Sequence, residues 1–508
     1  MKKIYIALIS MVLMAGFTAC EDILETKNFT DMTPENFFNN DKDVDAAMTA
    51  LYTPIDVNWG YSEAGDNWYN ALYNADANSY LTASFRSTDE MDSYWDLEGY
   101  TAFTIGPSGG VLSSVYNVSR YVSRITNLIE NLENKCPAIT EESRQAWIAE
   151  AKTLRAFYMW VLLDWFGPVN VKLDPSSLFS NEIEPRPDVN TYVGYIQRDL
   201  DDAIACDVFA EKYNGDDSNW GRMSKSIAYA ISMRLHLHQK NWQAAKKDCE
   251  LLMNMGFSLL PDYFDVFTAS CYGSPEHIFS ALSNRSAMNF FVTEVLPGEF
   301  NVGYNDLDEE YMRGYDRGSA LSGWQNYHMR WDFYDTFSEN DVRRHGILCR
   351  YELADGTMRD RNDPLMRGPL PIKFMNTQTD EFGTPNDHPI IRYAEVLLSY
   401  AEVINELEGP TATAINALKM VTDRANIDIP AEATASKEAF KEYLLAERGR
   451  ELYCEGQRRT DLIRFDRFIS SARERGLNAK DYQVLFPIPQ KAITEAGGVV
   501  VQNPGYTN

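Results

Sequence analysis

The chain has 508 residues and a formal net charge of -27 at pH 7, from 74 acidic and 47 basic side chains. So acidic a protein is repelled by phosphate backbones and anionic lipid, which argues against nucleic-acid binding and against membrane attachment through a basic patch. The length allows two or three domains, but no Pro/Ser-rich linker divides the chain, which favours one large folded unit over residues 20–508.

The N-terminus has the pattern of a lipoprotein signal peptide. Two lysines precede an apolar run over residues 4–15, which is too short to span a bilayer. Cys20 then follows small residues, as in a bacterial lipobox, although Phe17 stands where that motif usually has leucine. We therefore predict that residues 1–19 are removed, that Cys20 is acylated (palmitate included), and that residues 20–33 form a tether. The alternative is an ordinary secretory signal with a coincidental cysteine.

Helical periodicity dominates both ends of the chain. The N-terminal part predicts helices that open at Thr33-Pro34-Glu35 and that cover residues 41–52, 113–135 and 141–166. The pattern is clearest over 141–166, where apolar residues recur at intervals of four and three. Thr140 can cap this helix, and Gly167-Pro168 stops it.

Two later segments predict helical hairpins. Residues 224–239 pair with 242–255, and residues 389–407 pair with 411–425. Large aromatic and small alanine positions alternate in them as in tetratricopeptide (TPR) units, although a 34-residue period is not preserved. The predicted fold class is therefore mainly α, with TPR-like helical hairpins forming a scaffold and with little strand.

Two irregular regions interrupt the helices, at residues 59–100 and 262–388. Gly, Pro, Asn and Asp break the chain there every few residues, and aromatic residues are scattered between them. Long irregular segments in a globular protein are usually functional. We expect an N-terminal helical part (34–261) carrying binding loops at 59–100, a loop-rich region (262–388) and a C-terminal helical part (389–508).

Charge pairing is concentrated at residues 447–467, which hold five acids and six arginines. If Ser436 caps a helix that runs to about residue 455, i,i+3 spacing pairs Glu447 with Arg450 and Arg448 with Glu451. Gly456 then ends this helix in the left-handed conformation, and a shorter helix from Asp461 places Asp461 beside Arg464. We interpret the segment as a structural ion network, because arginine suits buried carboxylate pairs. Its predicted members are Glu447, Arg448, Glu451, Glu455, Arg458, Asp461 and Arg464.

Several blocks of the sequence together resemble the SusD/RagB family. They are the lipobox-like Cys20, Asn36-Phe37-Phe38, Leu154-Arg155-Ala156-Phe157-Tyr158, Ile391-Arg392-Tyr393-Ala394-Glu395, the segment 447–464, and Pro487-Ile488-Pro489-Gln490 with the tail 502–506. The resemblance implies a TPR-rich outer-membrane lipoprotein, anchored by lipid and facing the cell surface. It implies a partner as well, a SusC-like TonB-dependent transporter, and a glycan ligand or, in some members, an oligopeptide.

The irregular regions supply candidate ligand contacts. A sugar ring needs an aromatic platform beside groups that form hydrogen bonds, and Trp and Tyr offer both an apolar face and a polar edge. For any single aromatic residue core packing is the alternative. Among the candidates we favour Trp68, Trp95 and Trp324. The full set is Trp68, Tyr69, Asn70, Arg86, Asp89, Tyr94, Trp95, Trp324 and Tyr327.

Other function classes have weaker signals. Gly106-Pro107-Ser108-Gly109-Gly110 matches the G-x-S-x-G pattern of a hydrolase, with a strand-like stretch at 100–105 before it, but the repeated βα alternation of that fold is absent. Asp306, Asp308, Glu309 and Glu310 could ligate Ca²⁺. A purely structural scaffold is a third alternative. We expect no catalytic residue and no cofactor beyond that weak calcium signal.

Overall fold

The computed structural model describes residues 40–55, 57, 72–75, 79–283, 289–298, 300–305, 320–321, 323–374 and 384–507. Several predictions lie outside these residues. They concern the signal peptide, Cys20, the tether, the helix opening at Thr33, the candidates Trp68, Tyr69 and Asn70, and the acids at 306–310.

The described residues form fifteen α-helices. These are α1 (Asp41–Leu51), α2 (Tyr80–Arg86), α3 (Gly110–Asn134), α4 (Glu141–Phe166), α5 (Val189–Ala205), α6 (Lys225–His238), α7 (Trp242–Met253), α8 (Phe291–Val295), α9 (Trp331–Tyr334), α10 (Tyr393–Glu408), α11 (Ala412–Arg424), α12 (Lys437–Leu452), α13 (Arg458–Arg464), α14 (Phe468–Glu474) and α15 (Gln490–Glu495). Short 3-10 helices lie at Pro175–Ser177, Phe264–Phe267, Ala269–Cys271, Val342–Gly346, Ala431–Thr434 and Asp481–Val484.

The long helices pack on one another largely in chain order. Helix α3 packs on α4, α4 on α5, α5 on α6 and α6 on α7, and α10 then packs on α7, α11 and α12. Both predicted hairpins are present, as α6–α7 and α10–α11. The mainly α, TPR-like fold class is therefore confirmed.

Strands are short, and among the described residues they form small antiparallel sheets. The strands are β1 (Met91–Ser93), β2 (His277–Ala281), β3 (Phe300–Asn305), β4 (Ala320–Leu321), β5 (Tyr327–Met329), β6 (Ile347–Leu348), β7 (Tyr351–Leu353), β8 (Met358–Arg359), β9 (Leu370–Pro371) and β10 (His388–Arg392). They pair as β1–β5, β10–β2, β4–β3–β7–β8 and β6–β9.

Local sequence signals set the helix ends well where a capping residue is present. The Thr140 side chain accepts from the backbone N–H of Ser143, and α4 covers the predicted residues 141–166. Two predicted boundaries are wrong. Residues 389–392 pair as strand β10 with β2, so α10 begins only at Tyr393. Helix α3 begins three residues early, because Glu98 accepts from the N–H groups of Gly110 and Val111.

The seven predicted members of the ion network do not form one group. Arg448, Asp461 and Arg464 form a group with Glu402, and Arg458 pairs with Asp89. Glu447, Glu451 and Glu455 belong to a larger buried network. Five acids face five bases among the described residues, so the charges balance: Glu276, Asp341, Glu447, Glu451 and Glu455 against Arg343, Lys373, Arg392, Arg424 and Arg450. Glu451 lies at the centre, with Arg392 at 2.6 Å and Arg343 at 3.0 Å. Six of these ten residues lie outside residues 447–467, and local spacing does not reveal them.

Two predicted pairs are present and one is wrong. Glu447 pairs with Arg450 at 2.8 Å, and Asp461 pairs with Arg464 at 2.7 Å. Arg448 does not pair with Glu451, since its guanidinium reaches across to Asp461 at 2.8 Å. The reason is that Arg343, Arg392 and Arg424, which come from other segments, already contact the Glu451 carboxylate. The predicted end of the helix is also wrong. Gly456 adopts a positive φ of 81°, as predicted for a helix end, but the helix already stops at Leu452.

The charged state of the network is fixed by mutual contact. Burial alone would raise the pKa of Glu451, but Arg424, Arg392 and Arg343 hold it well below the ordinary value. Burial likewise opposes ionisation of Glu447, whose pKa Arg343 and Arg450 keep low. Such a network clamps α12 to the 3-10 helix Val342–Gly346, to β10 and to α11.

No helix among the described residues is both long and apolar enough to cross a membrane.

Candidate functional site

The two irregular regions meet through one strand pair. Strand β1 runs antiparallel to β5, with Asp92 opposite His328 and Ser93 opposite Tyr327. The pairing continues past the strands, because the Tyr94 N–H donates to the Asn326 carbonyl at 2.8 Å. Trp95 follows directly on one side, and Trp324 lies two residues before Asn326 on the other. The structure therefore brings the two sequence regions together.

Backbone contacts with α8 hold the segment that carries Trp324. The N–H groups of Trp324, Gln325 and Asn326 donate to the carbonyls of Thr293, Leu296 and Glu294 at 2.8, 3.0 and 2.6 Å. Gln325 adopts a positive φ of 49°, which is uncommon for a non-glycine residue and is often found at ligand sites. The conformation of this turn is thus fixed by packing.

Asn326 joins the two sides of the seam. Its side chain is 2% exposed, and its Oδ1 accepts from the Ser93 hydroxyl at 2.8 Å. Its Nδ2 donates to the carboxylate of Glu294 at 3.1 Å. The Ser93 hydroxyl also accepts from the Trp95 N–H at 3.1 Å. A buried hydrogen-bonded set of this kind orients the exposed tryptophans without touching solvent itself.

A third segment, residues 365–369, closes on the same seam. The Tyr94 hydroxyl donates to the Leu365 carbonyl at 2.8 Å and accepts from the Arg367 N–H at 3.2 Å. The Met329 N–H donates to the Pro369 carbonyl at 2.8 Å. Three separate parts of the chain therefore form one platform.

Large apolar side chains remain exposed on this platform. Trp95 is 57% exposed, Trp324 is 37% exposed and Leu365 is 60% exposed. We call Tyr94, Trp95, Trp324 and Leu365 the aromatic face. Exposed tryptophan is unusual on a soluble protein, and grouped exposed apolar side chains mark binding surfaces.

The amino-acid sequence of this chain is similar to those of known proteins. The model of the SusD family matches residues 350–506. The curated SusD-like protein P25 of Formosa agariphila is 25% identical over 100% of this chain and 99% of its own length. The starch-binding protein SusD of Bacteroides thetaiotaomicron is 22% identical over 99% of both chains.

The chain matches the SusD family over residues 350–506, and SusD-like proteins are similar to it over its whole length.

Solved structures share the fold of this protein. Surface glycan-binding protein A from Bacteroides fluxus covers 92% of this chain and all of its own at 23% identity, with a TM-score of 0.72. Surface glycan-binding protein A from Bacteroides thetaiotaomicron, in complex with laminarihexaose, covers 92% of this chain and 100% of its own at 22% identity, with a TM-score of 0.71.

Three residues predicted as ligand contacts have other contacts within the protein. Arg86 and Tyr327 are 1% and 0% exposed, and the Arg86 guanidinium lies over the Tyr327 ring at 5.9 Å. Asp89 forms a two-pronged ion pair with Arg458, at 2.7 and 2.8 Å. We therefore exclude these three from the aromatic face. The burial of Arg86 and Tyr327 and the pairing of Asp89 follow from contacts between distant segments, which residue type alone does not reveal.

Leu365 is the residue that sequence reasoning missed. It lies in the predicted loop-rich region 262–388, but nothing local marks it. It reaches the site only because Tyr94, 271 positions earlier in the chain, donates to its carbonyl. Contacts across such a separation leave no periodic signal in the sequence.

A cavity lies between α4, α5 and residues 170–184. The cavity has a volume of about 620 Å³ and shares no residue with the aromatic face. Its floor is the ion pair of Arg155 with Asp199 at 2.7 Å, and Tyr195 is the aromatic residue that lines it. Nine of its sixteen lining residues are charged, and four of those nine form the ion pairs Arg155–Asp199 and Lys152–Asp202.

The hydrolase signal lacks its structural context. The stretch 100–105 forms turns and irregular backbone rather than the expected strand, so no strand precedes Ser108. Gly109 and Gly110 begin α3 directly after it. A nucleophile elbow requires a strand-to-helix turn, and the prediction of strand here is wrong.

Metal ligands are not grouped in the part of the chain that the structure describes. No set of three or more His, Cys, Asp or Glu side chains there could hold an ion. The acids at 306–310 lie outside that part, so the calcium signal stays a prediction.

Proposed function

We propose that this protein is a surface-exposed lipoprotein that binds oligo- or polysaccharide at the aromatic face and passes it to a partner TonB-dependent outer-membrane transporter. The observation that carries the proposal is the exposure of Trp95 and Trp324 on a rigid seam. Tryptophans that served only the core would be buried, as Trp165 is.

The chemistry of the face suits a sugar. A pyranose ring has apolar C–H patches that stack on indole, and its hydroxyls form hydrogen bonds at the edge of the stack. Trp95 and Trp324 supply the apolar surfaces. Because hydrogen bonds to α8 and to Ser93 hold their backbone in place, little order is lost when a ligand binds.

Two relatives support a glycan as the ligand. One curated relative is named a starch-binding protein, and one structural neighbour is described with bound laminarihexaose. We carry glycan binding over to this chain as a class, and leave the identity of the sugar to experiment.

The membrane location and the transporter partner are inferred from the sequence. Cys20 stands at a lipobox-like position, and acylation there would tether the folded part through residues 20–33. The strongly acidic composition keeps the protein soluble above a membrane. Delivery to a SusC-like transporter is what the resemblance to the SusD/RagB family implies.

The test is a binding screen of the folded protein beginning at residue 20. Titration calorimetry against soluble starch, laminarin and acidic plant and algal polysaccharides should give saturable binding to at least one. Absence of saturable binding to every glycan, by a protein that still unfolds cooperatively, would reject glycan binding.

A further inference from the structure

A cation with little local compensation stands beside the aromatic face. Arg367 lies with its guanidinium over the Tyr94 ring, 4.6 Å from the centroid, and its side chain is 43% exposed. The hydrogen bond from its backbone N–H to the Tyr94 hydroxyl fixes where the side chain begins. The residue it covers, Tyr94, directly precedes Trp95.

The nearest carboxylate to this cation is shared. Asp92 lies 3.9 Å from the Arg367 guanidinium, which is beyond hydrogen-bond distance, and its other oxygen lies 3.2 Å from Arg330. Two guanidinium groups therefore face one carboxylate. Burial lowers the pKa of the neighbouring His328 to about 4, so its ring adds no charge at neutral pH.

Arg361 is a second arginine that stacks on an aromatic ring, and its guanidinium is fully paired with a carboxylate. The Arg361 guanidinium lies over the Trp331 ring at 4.7 Å, almost the same distance as Arg367 over Tyr94. Both of its terminal nitrogens donate to the carboxylate of Asp335 at 2.7 Å. Arg367 makes no such bond among the described residues. Its planar set of N–H donors therefore faces solvent beside the aromatic face.

We propose that the aromatic face takes an anionic glycan, one that carries a carboxylate or a sulfate ester, and that Arg367 binds the anionic group. This inference rests on the proposed function, which leaves the ligand open between neutral and charged sugars. A guanidinium donates two parallel hydrogen bonds to a carboxylate or to an oxyanion of similar shape. In a chain with a net charge of -27, an arginine that only a distant, shared carboxylate compensates offsets the general repulsion of anions at the ligand face.

The experiment compares each glycan with its own neutral form. The probes are tetragalacturonate with its methyl ester, for the carboxylate, and a sulfated carrageenan oligosaccharide with its desulfated form, for the sulfate. Starch and laminarin oligosaccharides serve as neutral references. Calorimetry is performed on the wild type, on Arg367→Met, which keeps the stacked alkyl chain and removes the charge, and on Arg361→Met as the matched control.

We expect the wild type to bind at least one anionic probe about tenfold more tightly than its neutral form. Arg367→Met should reduce that preference to within about twofold, whereas Arg361→Met should retain it. Which pair shows the preference distinguishes carboxylate from sulfate. Tightest binding to a neutral glycan, with equal effects of the two substitutions, overturns this inference and leaves the proposed function standing. Failure of every glycan to bind removes both.

Discussion

Glu451 holds together more of the frame than any local pattern suggests. Its carboxylate contacts Arg343, Arg392 and Arg424, and its side chain is fully buried. Replacing it with glutamine removes the charge and leaves three buried guanidinium groups short of a partner. Loss of one member of a buried ion pair costs about 3–5 kcal/mol.

We therefore expect Glu451→Gln to lower the free energy of unfolding by about 3 kcal/mol or more in urea titration. The matched control is Glu442→Gln, because Glu442 pairs with Arg467 at 3.3 Å with both side chains exposed. Exposed pairs contribute about 0–1 kcal/mol, so the control should change little. Equal effects of the two substitutions would show that the network is not structural.

The buried carboxyl group of Glu90 should make the stability of the folded protein depend on pH. It is fully buried, and burial raises its pKa to about 8. One of its carboxylate oxygens accepts from the Cys454 N–H at 2.6 Å, and the other has no hydrogen-bond partner among the described residues. Because its folded pKa is above its unfolded value, its favourable contribution is complete below the unfolded pKa of about 4.5 and is lost as pH rises through about 8.

Glu90→Gln removes this titration and retains the acceptor oxygen. Relative to the wild type, the variant should gain stability progressively between pH 5 and pH 8, on the order of 3 kcal/mol in total. Urea unfolding of both proteins at a series of pH values measures the difference. A difference that does not vary with pH would mean that Glu90 is ionised in the folded protein.

At the scale of elements, the seam between β5 and residues 365–369 supports the aromatic face. Gly368, in residues 365–369, lies very close to β5. A Cβ atom on Gly368 would fall 1.9 Å from the Met329 carbonyl oxygen and 2.6 Å from the His328 ring. We expect Gly368→Ala to separate the two segments, since backbone atoms cannot shift cheaply. Gly106→Ala is the control, because a Cβ there meets nothing within 4 Å.

Gly368→Ala should weaken glycan binding and lower the free energy of unfolding by about 2 kcal/mol. Gly106→Ala should leave both unchanged. Calorimetry and urea unfolding check the two quantities separately. Full glycan affinity in the Gly368 variant would mean that residues 365–369 do not support the site.

Elements could be predicted from sequence wherever the determinants are local. Helix α4 follows from its apolar repeat, Thr140 and the Gly167-Pro168 stop, all within the element or next to it. The partners of Arg448 and Glu451 could not be predicted from the sequence, because these partners come from segments that meet only in the folded chain. The short strand β10 was also missed, since a fully buried strand has no alternation to distinguish it from the start of α10.

For the whole molecule, the sequence predicts which regions are rich in aromatic residues but not which of those residues are exposed to a ligand. The sequence pointed to Trp95 and Trp324 and also to Tyr327, which is aromatic as well but is buried. Whether an aromatic residue faces solvent depends on which distant segment covers it. Trp68, Tyr69 and Asn70 lie outside the described residues and stay predictions.

Attachment of the whole molecule to a membrane through acylated Cys20 is a further prediction. If Cys20 is acylated, Cys20→Ala should move the protein from the membrane fraction to the soluble fraction, and the wild type should incorporate labelled palmitate. Protease treatment of intact cells then tests whether the anchored protein faces outward. An unlabelled wild-type protein would support the ordinary secretory signal instead.

The central claim is that a helical frame presents one aromatic face to a glycan, and single substitutions at that face test it most directly. Once a glycan is identified, Trp95→Ala and Trp324→Ala should each reduce its affinity about tenfold or more by calorimetry, with nearly unchanged melting temperatures because both side chains are exposed. Trp68→Ala should act in the same way. Phe179→Ala, at a side chain 88% exposed elsewhere, and Tyr195→Ala, in the 620 Å³ cavity, should have no effect. Full affinity in all three tryptophan variants, or loss of affinity in Tyr195→Ala alone, would contradict the account.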